Sequence, residues 1–110
     1  ACAAGLAALA TYVSENVVQR AAAMGDFLLE RLRAEIGDLP VVREIRGAGL
    51  MIGIELRTRA TQVLKALADE GVMALPAGRT VVRLLPPLVI SDQDLATVCD
   101  AIERVLAQAA

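Results

Sequence analysis

The chain has 110 residues, enough for one domain with a core of its own. It is 56% apolar and only 2% aromatic, carries a net charge of −2 and has no histidine. Lysine and arginine are scattered and stacking aromatics are nearly absent, which excludes a nucleic-acid binder. No apolar run reaches the roughly 20 residues a membrane helix needs.

Tyr12 and Phe27 are the only aromatic residues, so the core has to be aliphatic. "ACAAGLAALATYV", residues 1–13, reads as a small-sided apolar helix, and so much apolar surface in a short chain implies burial against another surface. It has no basic flank of the kind that opens a signal peptide. Because the chain starts with Ala inside this pattern, it reads as a polypeptide that once continued further to the left. Asn16-Val-Val-Gln19 has capping-box spacing, with Ser14 as a rival cap. Val17, Val18, Ala21, Met24, Leu28, Leu29, Leu32 and Ile36 then recur at helical steps, and Gly37 offers a left-handed stop before Pro40.

Residues 41–46 and 48–56 read as two strands, with Gly47 and Gly49 permitting a hairpin between them. Residues 59–70 read as a helix with Val63, Leu64, Leu67 and Ala68 inward, and Gly71 ends it. Residues 72–75 read as a short strand, Pro76-Ala-Gly78 as a turn and 81–85 as the last strand, halted by Pro86-Pro87. Ser91-x-x-Asp94 opens a final helix whose inward stripe is Leu95, Val98, Cys99, Ile102, Val105 and Leu106. The expected fold is α+β: a small, mostly antiparallel sheet of three to four strands, covered by helices on one side. Residues 1–110 form one unit, with 1–36 as a helical lead-in and 41–110 as the α/β part.

Few residues invite chemistry. Gly47-x-Gly49-x-x-x-Gly53 has the wrong spacing for a dinucleotide loop and leads into a strand, so turn glycines explain it better. Lys65, the only lysine, lies on the polar side of its helix near Asp69, where a solvated pair accounts for it. Asp92 and Asp94 suit a helix N-terminus. Cys2 and Cys99 match no metal or redox spacing and read as free thiols of a reducing compartment, which points to the cytoplasm. Arg83 is different. It sits inside "RTVVRLLPPLVIS", residues 79–91, where both strand faces are apolar. Its guanidinium can snorkel to solvent, pair with an internal acid, for which Glu55 is a candidate, or grip the carboxylate of a ligand bidentately. The pattern leaves all three open.

"RGAGLMIGIEL" (46–56), "LPAG" (75–78) and "VVRLLPPLVIS" (81–91), in this order and after "ACAAGLAAL", together resemble the C-terminal domain of class III, pyridoxal-phosphate-dependent aminotransferases. The likeness is greatest to the acetylornithine and acyl-lysine group and covers essentially all of 1–110. It implies transfer of the distal amino group of an acylated diamino acid to 2-oxoglutarate, in arginine or lysine biosynthesis, by a homodimer. It implies that Arg83 binds a substrate carboxylate and can swing toward an acid of a large domain absent here. The family's Schiff-base lysine, pyridinium-binding aspartate, ring-stacking aromatic and phosphate-binding threonine have no counterparts in this sequence. The resemblance therefore implies a chain that holds no cofactor, is inactive alone and buries its apolar first helix by self-association. A stand-alone binding or oligomerisation module of the same fold is the competing expectation, as is a fragment of another ω-aminotransferase.

Overall fold

The computed structural model describes residues 1–109. Two helices lead the chain, α1 (Cys2–Ser14) and α2 (Val17–Ile36). An antiparallel hairpin follows, β1 (Val42–Ala48) and β2 (Met51–Leu56). Then come α3 (Thr61–Asp69), β3 (Leu75–Pro76), β4 (Val81–Leu84) and α4 (Asp92–Gln108). The four strands form one sheet in the order β1-β2-β4-β3, with every neighbouring pair antiparallel. This is the α+β architecture that the hydrophobic pattern predicts.

One sheet face is the floor of the core. Ile52, Ile54 and Leu56 alternate along β2; the first two meet Leu84 and Val82 of β4 in register, and Leu56 meets Val42 of β1. The five residues of β2 and β4 are at most 3% exposed. Leu28, Leu32 and Ile36 of α2, Val63 and Leu67 of α3, and Leu95, Ile102 and Leu106 of α4 join them in one continuous cluster. The helices are also tied to one another: Arg31 on α2 reaches Asp100 and Glu103 on α4, and Arg104 on α4 reaches Glu70 just past α3.

Two backbone features set the distance between α2 and the hairpin. Ala48 pairs with Met51, which leaves a two-residue turn, Gly49-Leu50. Gly49 has φ 55°, the positive value that a primed turn demands at its first central position. Gly25, in the middle of α2, lies directly against that turn. A Cβ on Gly25 would come within 2.0 Å of the Gly49 carbonyl oxygen. A glycine that looks wasteful inside a helix is what lets the helix backbone reach the turn.

The structure departs from the sequence-based expectations in several places. Asn16 precedes α2 but has φ 56° and its side chain caps nothing, so the capping box is not formed; Asn is the non-glycine residue that best tolerates this conformation. Gly37 ends α2 in a right-handed conformation, with φ −59°. The strand expected at 72–75 shrinks to Leu75–Pro76, because only these residues pair with β4; Pro76 is thus in the strand and not in the turn after it. Val18, at 68% exposed, and Ala68, also exposed, face outward. By contrast, the Ser91 Oγ accepts from the Asp94 amide at 3.1 Å, as the Ser-x-x-Asp pattern predicts.

Candidate functional site

The opposite sheet face carries the charged side chains. Strand alternation sends Met51, Gly53 and Glu55 away from the core. Gly53 pairs with Arg46 of β1 on one side and Arg83 of β4 on the other, and Arg83 in turn pairs with Leu75 of β3. One step along, Glu55 pairs with Glu44 and with Val81. Among the described residues no helix lies over this row: Arg46, Met51 and Leu75 remain about half exposed.

Arg83 has apolar neighbours on its own face too, Met51, Leu75 and Val81, but that face is open and also bears Arg46 and Glu55. Val82 and Leu84 enter the core, and Arg83 rises from the other side, half-buried, on the strand next to the sheet edge. It lines an open groove of about 390 Å³ together with Arg46, Ala48, Met51, Gly53 and Val81. Gly53, without a side chain, forms a notch between the two arginines.

The acids on this face are already engaged. Glu55 lies 3.4 Å from the Nε of Arg43 and 3.7 Å from an Nη of Arg46. Arg46 also holds Glu44 at 3.2 Å. Among the described residues Arg83 has no ion pair or hydrogen bond, and Glu55 is not its partner. Two cations and two anions thus balance on the β1–β2 side, and Arg83 is the uncompensated charge of the groove. A planar, permanently charged guanidinium with its fork open is suited to a carboxylate.

Arg43 and Arg46 carry no special weight in the sequence. A β-bulge between Val42 and Glu44 breaks simple alternation in β1, and this brings Arg43 near Glu55. The remaining candidates keep structural roles. Asp92 and Asp94 occupy the first turn of α4, with Asp92 3.5 Å from Arg20. Arg20 also donates to the Ile90 carbonyl. Lys65 is exposed on α3 and makes no ion pair with Asp69 among the described residues. Cys2 is exposed and Cys99 is buried, where desolvation pushes its thiol pKa up.

These residues do not fit pyridoxal phosphate. A Schiff base needs a lysine facing a desolvated pocket, and Lys65, the only lysine, faces solvent away from the groove. Neither Tyr12 nor Phe27 lines the groove to stack on a ring. What the arrangement offers is anion binding.

Comparison with known proteins places this face in context. Residues 1–106 match the aminotransferase class-III family. Among curated proteins, an ornithine aminotransferase of an Exiguobacterium species is 41% identical over 110 residues, covering all of this chain and 27% of the relative. A [LysW]-aminoadipate semialdehyde/glutamate semialdehyde transaminase of Sulfurisphaera tokodaii is 44% identical over 90 residues, covering 82% of this chain and 23% of the relative. Among solved structures, a Bacillus anthracis aminotransferase superposes with a TM-score of 0.92 at 33% identity, over 97% of this chain and 28% of its own. The chain spans about a quarter of the length of the relatives it matches. With the motifs of β1, β2 and β4 in place and the fold shared throughout, the chain belongs to the class-III aminotransferase family.

Proposed function

We propose that this chain is the small C-terminal domain of a pyridoxal-phosphate-dependent aminotransferase. The whole enzyme transfers the distal amino group of N-acetylornithine, or of an N-acylated lysine, to 2-oxoglutarate in arginine or lysine biosynthesis. Arg83 supplies the grip on a substrate carboxylate. The observation that carries this reading is its unpartnered guanidinium in an open groove, beside acids that are all engaged elsewhere. An amino donor and an oxo-acid take turns in one site, and a long, unpaired side chain can meet carboxylates at different positions. The similarity to a [LysW]-aminoadipate semialdehyde/glutamate semialdehyde transaminase favours an acylated donor. The similarity to an ornithine aminotransferase, slightly lower in identity but over the whole chain, favours free ornithine as the second reading.

The exposed Leu6, Leu9 and Val13 of α1 support an assembly that covers them, whether by a large domain or a second copy in a cytoplasmic homodimer. The cofactor is held elsewhere in the enzyme, and the 110 residues alone are inactive. Incubation of the isolated chain with pyridoxal phosphate gives no stable imine absorbance; a band abolished by Lys65→Ala would contradict this.

The deciding experiment is amino-donor profiling of the full-length enzyme with Arg83→Ala alongside. Loss of a bidentate charged contact raises the KM for 2-oxoglutarate by about 10- to 100-fold. An unchanged KM for both donor and oxo-acid removes Arg83 from the site. A preference for ornithine over its acetylated form selects the second reading.

A further inference from the structure

Glu55 stands in a symmetrical position. On the open face it is a diagonal neighbour of Arg46 across β1 and of Arg83 across β4, because both arginines pair with Gly53 two residues before it. Diagonal neighbours on one sheet face lie about 7–8 Å apart at the backbone, within reach of long side chains. Glu55 could therefore pair with either arginine. In the structure it takes Arg46, at 3.7 Å, and is held on the same side by Arg43, at 3.4 Å. Glu44, the other acid of this face, is two strands from β4 and is itself bound to Arg46.

We infer that Arg46 and Arg43 act as positioning residues that hold Glu55 away from Arg83, so that Arg83 stays available to an external carboxylate. The inference rests on the reading of Arg83 as a carboxylate-binding residue. Glu55 is a built-in competitor: a carboxylate tethered within reach of the binding cation. Its attachment to β1 decides whether it competes. The geometry also explains the bulge after Val42, which brings a second arginine to Glu55 from the side away from Arg83. Gly53 contributes by absence, since the row between the two arginines stays open to a ligand.

The test uses the full-length enzyme with Arg46→Gln, Arg46→Gln combined with Glu55→Gln, and Arg83→Gln. Arg46 is about half exposed, so its replacement leaves the fold intact. With Arg46→Gln, Glu55 swings to Arg83 and the KM for 2-oxoglutarate rises about threefold, the scale of a half-exposed ion pair, with kcat within about twofold. Adding Glu55→Gln removes the competitor and returns KM to within about twofold of the parent, a rescue that general destabilisation would not produce. A crystal structure of the Arg46→Gln variant has Glu55 within ion-pair distance of Arg83. An unchanged KM in Arg46→Gln, or a raised KM that Glu55→Gln fails to restore, overturns the inference while leaving Arg83 in the site. An unchanged KM in Arg83→Gln overturns the reading of Arg83 itself, and the inference with it.

Discussion

The two faces of the sheet are made from the same strands and follow opposite rules. On the covered face, Ile52, Ile54, Leu56, Val82 and Leu84 are at most 3% exposed and meet three helices. On the open face, Arg46, Glu55 and Arg83 share a row system with Met51 and Gly53, and among the described residues no helix covers them. A period of two is enough to keep the two sets apart. The difference teaches that core packing and the charged row are assigned here to alternate residues of one strand, so they can be perturbed one at a time.

The largest effect is expected on the covered face. Ile54→Ala empties a site that is 1% exposed and costs about 2–5 kcal/mol, measured by urea unfolding of the chain. A loss below about 1 kcal/mol would mean that the covered face is not the stabilising one. Gly25→Ala comes next. Its methyl group would overlap the Gly49 carbonyl and force α2 away from the hairpin, at a cost of about 1–3 kcal/mol. In an exposed helix interior the same change would stabilise, so its sign is diagnostic of the close approach.

The sequence made the covered face legible, because helical and alternating periodicities are direct consequences of which side is buried. Leu28, Leu32 and Ile36, or Ile52 and Ile54, cannot be spaced otherwise and still share one core. The Gly25 contact was not legible, since nothing local distinguishes a glycine tolerated in a helix from one the packing requires. The strand at 72–75 is shorter than expected for a related reason: an apolar run does not reveal which of its residues pair with a neighbouring strand, and within it only Leu75 does, while the Val72 amide donates back to the Leu67 carbonyl. On the open face, Arg83 stood out as a charge among apolar neighbours. The engagement of Glu55 by Arg43 and Arg46 did not, because it depends on a bulge that shifts the register of β1.

A smaller effect tests the depth of the core through pH. Cys99 is fully buried on α4, and burial raises its thiol pKa above the ordinary 9.0, an effect that the nearby Arg31 guanidinium partly offsets. The unfolded chain then loses this proton at a lower pH than the folded one. Stability from this group is complete below the unfolded pKa and is lost as pH rises above it toward the folded value. Unfolding midpoints should fall above about pH 9, and Cys99→Ala should flatten that part of the profile. Under native conditions an alkylating reagent should modify the exposed Cys2 and reach Cys99 only on unfolding.

The smallest expected change is the one that separates the two faces most cleanly. Arg83→Met keeps the length and much of the apolar stem of the side chain while removing its charge. Arg83 has no partner in the chain among the described residues, so no ion pair is broken and no buried acid is left uncompensated. The unfolding free energy should stay within about 0.5 kcal/mol of the parent, on either side. A structural arginine would behave otherwise, because removing one member of a buried pair costs about 3–5 kcal/mol. Near-neutral stability in Arg83→Met, beside the large loss in Ile54→Ala, would mean that the charge is maintained in β4 for something other than folding. A loss of several kcal/mol would instead return Arg83 to the scaffold and remove the support for its proposed role in binding.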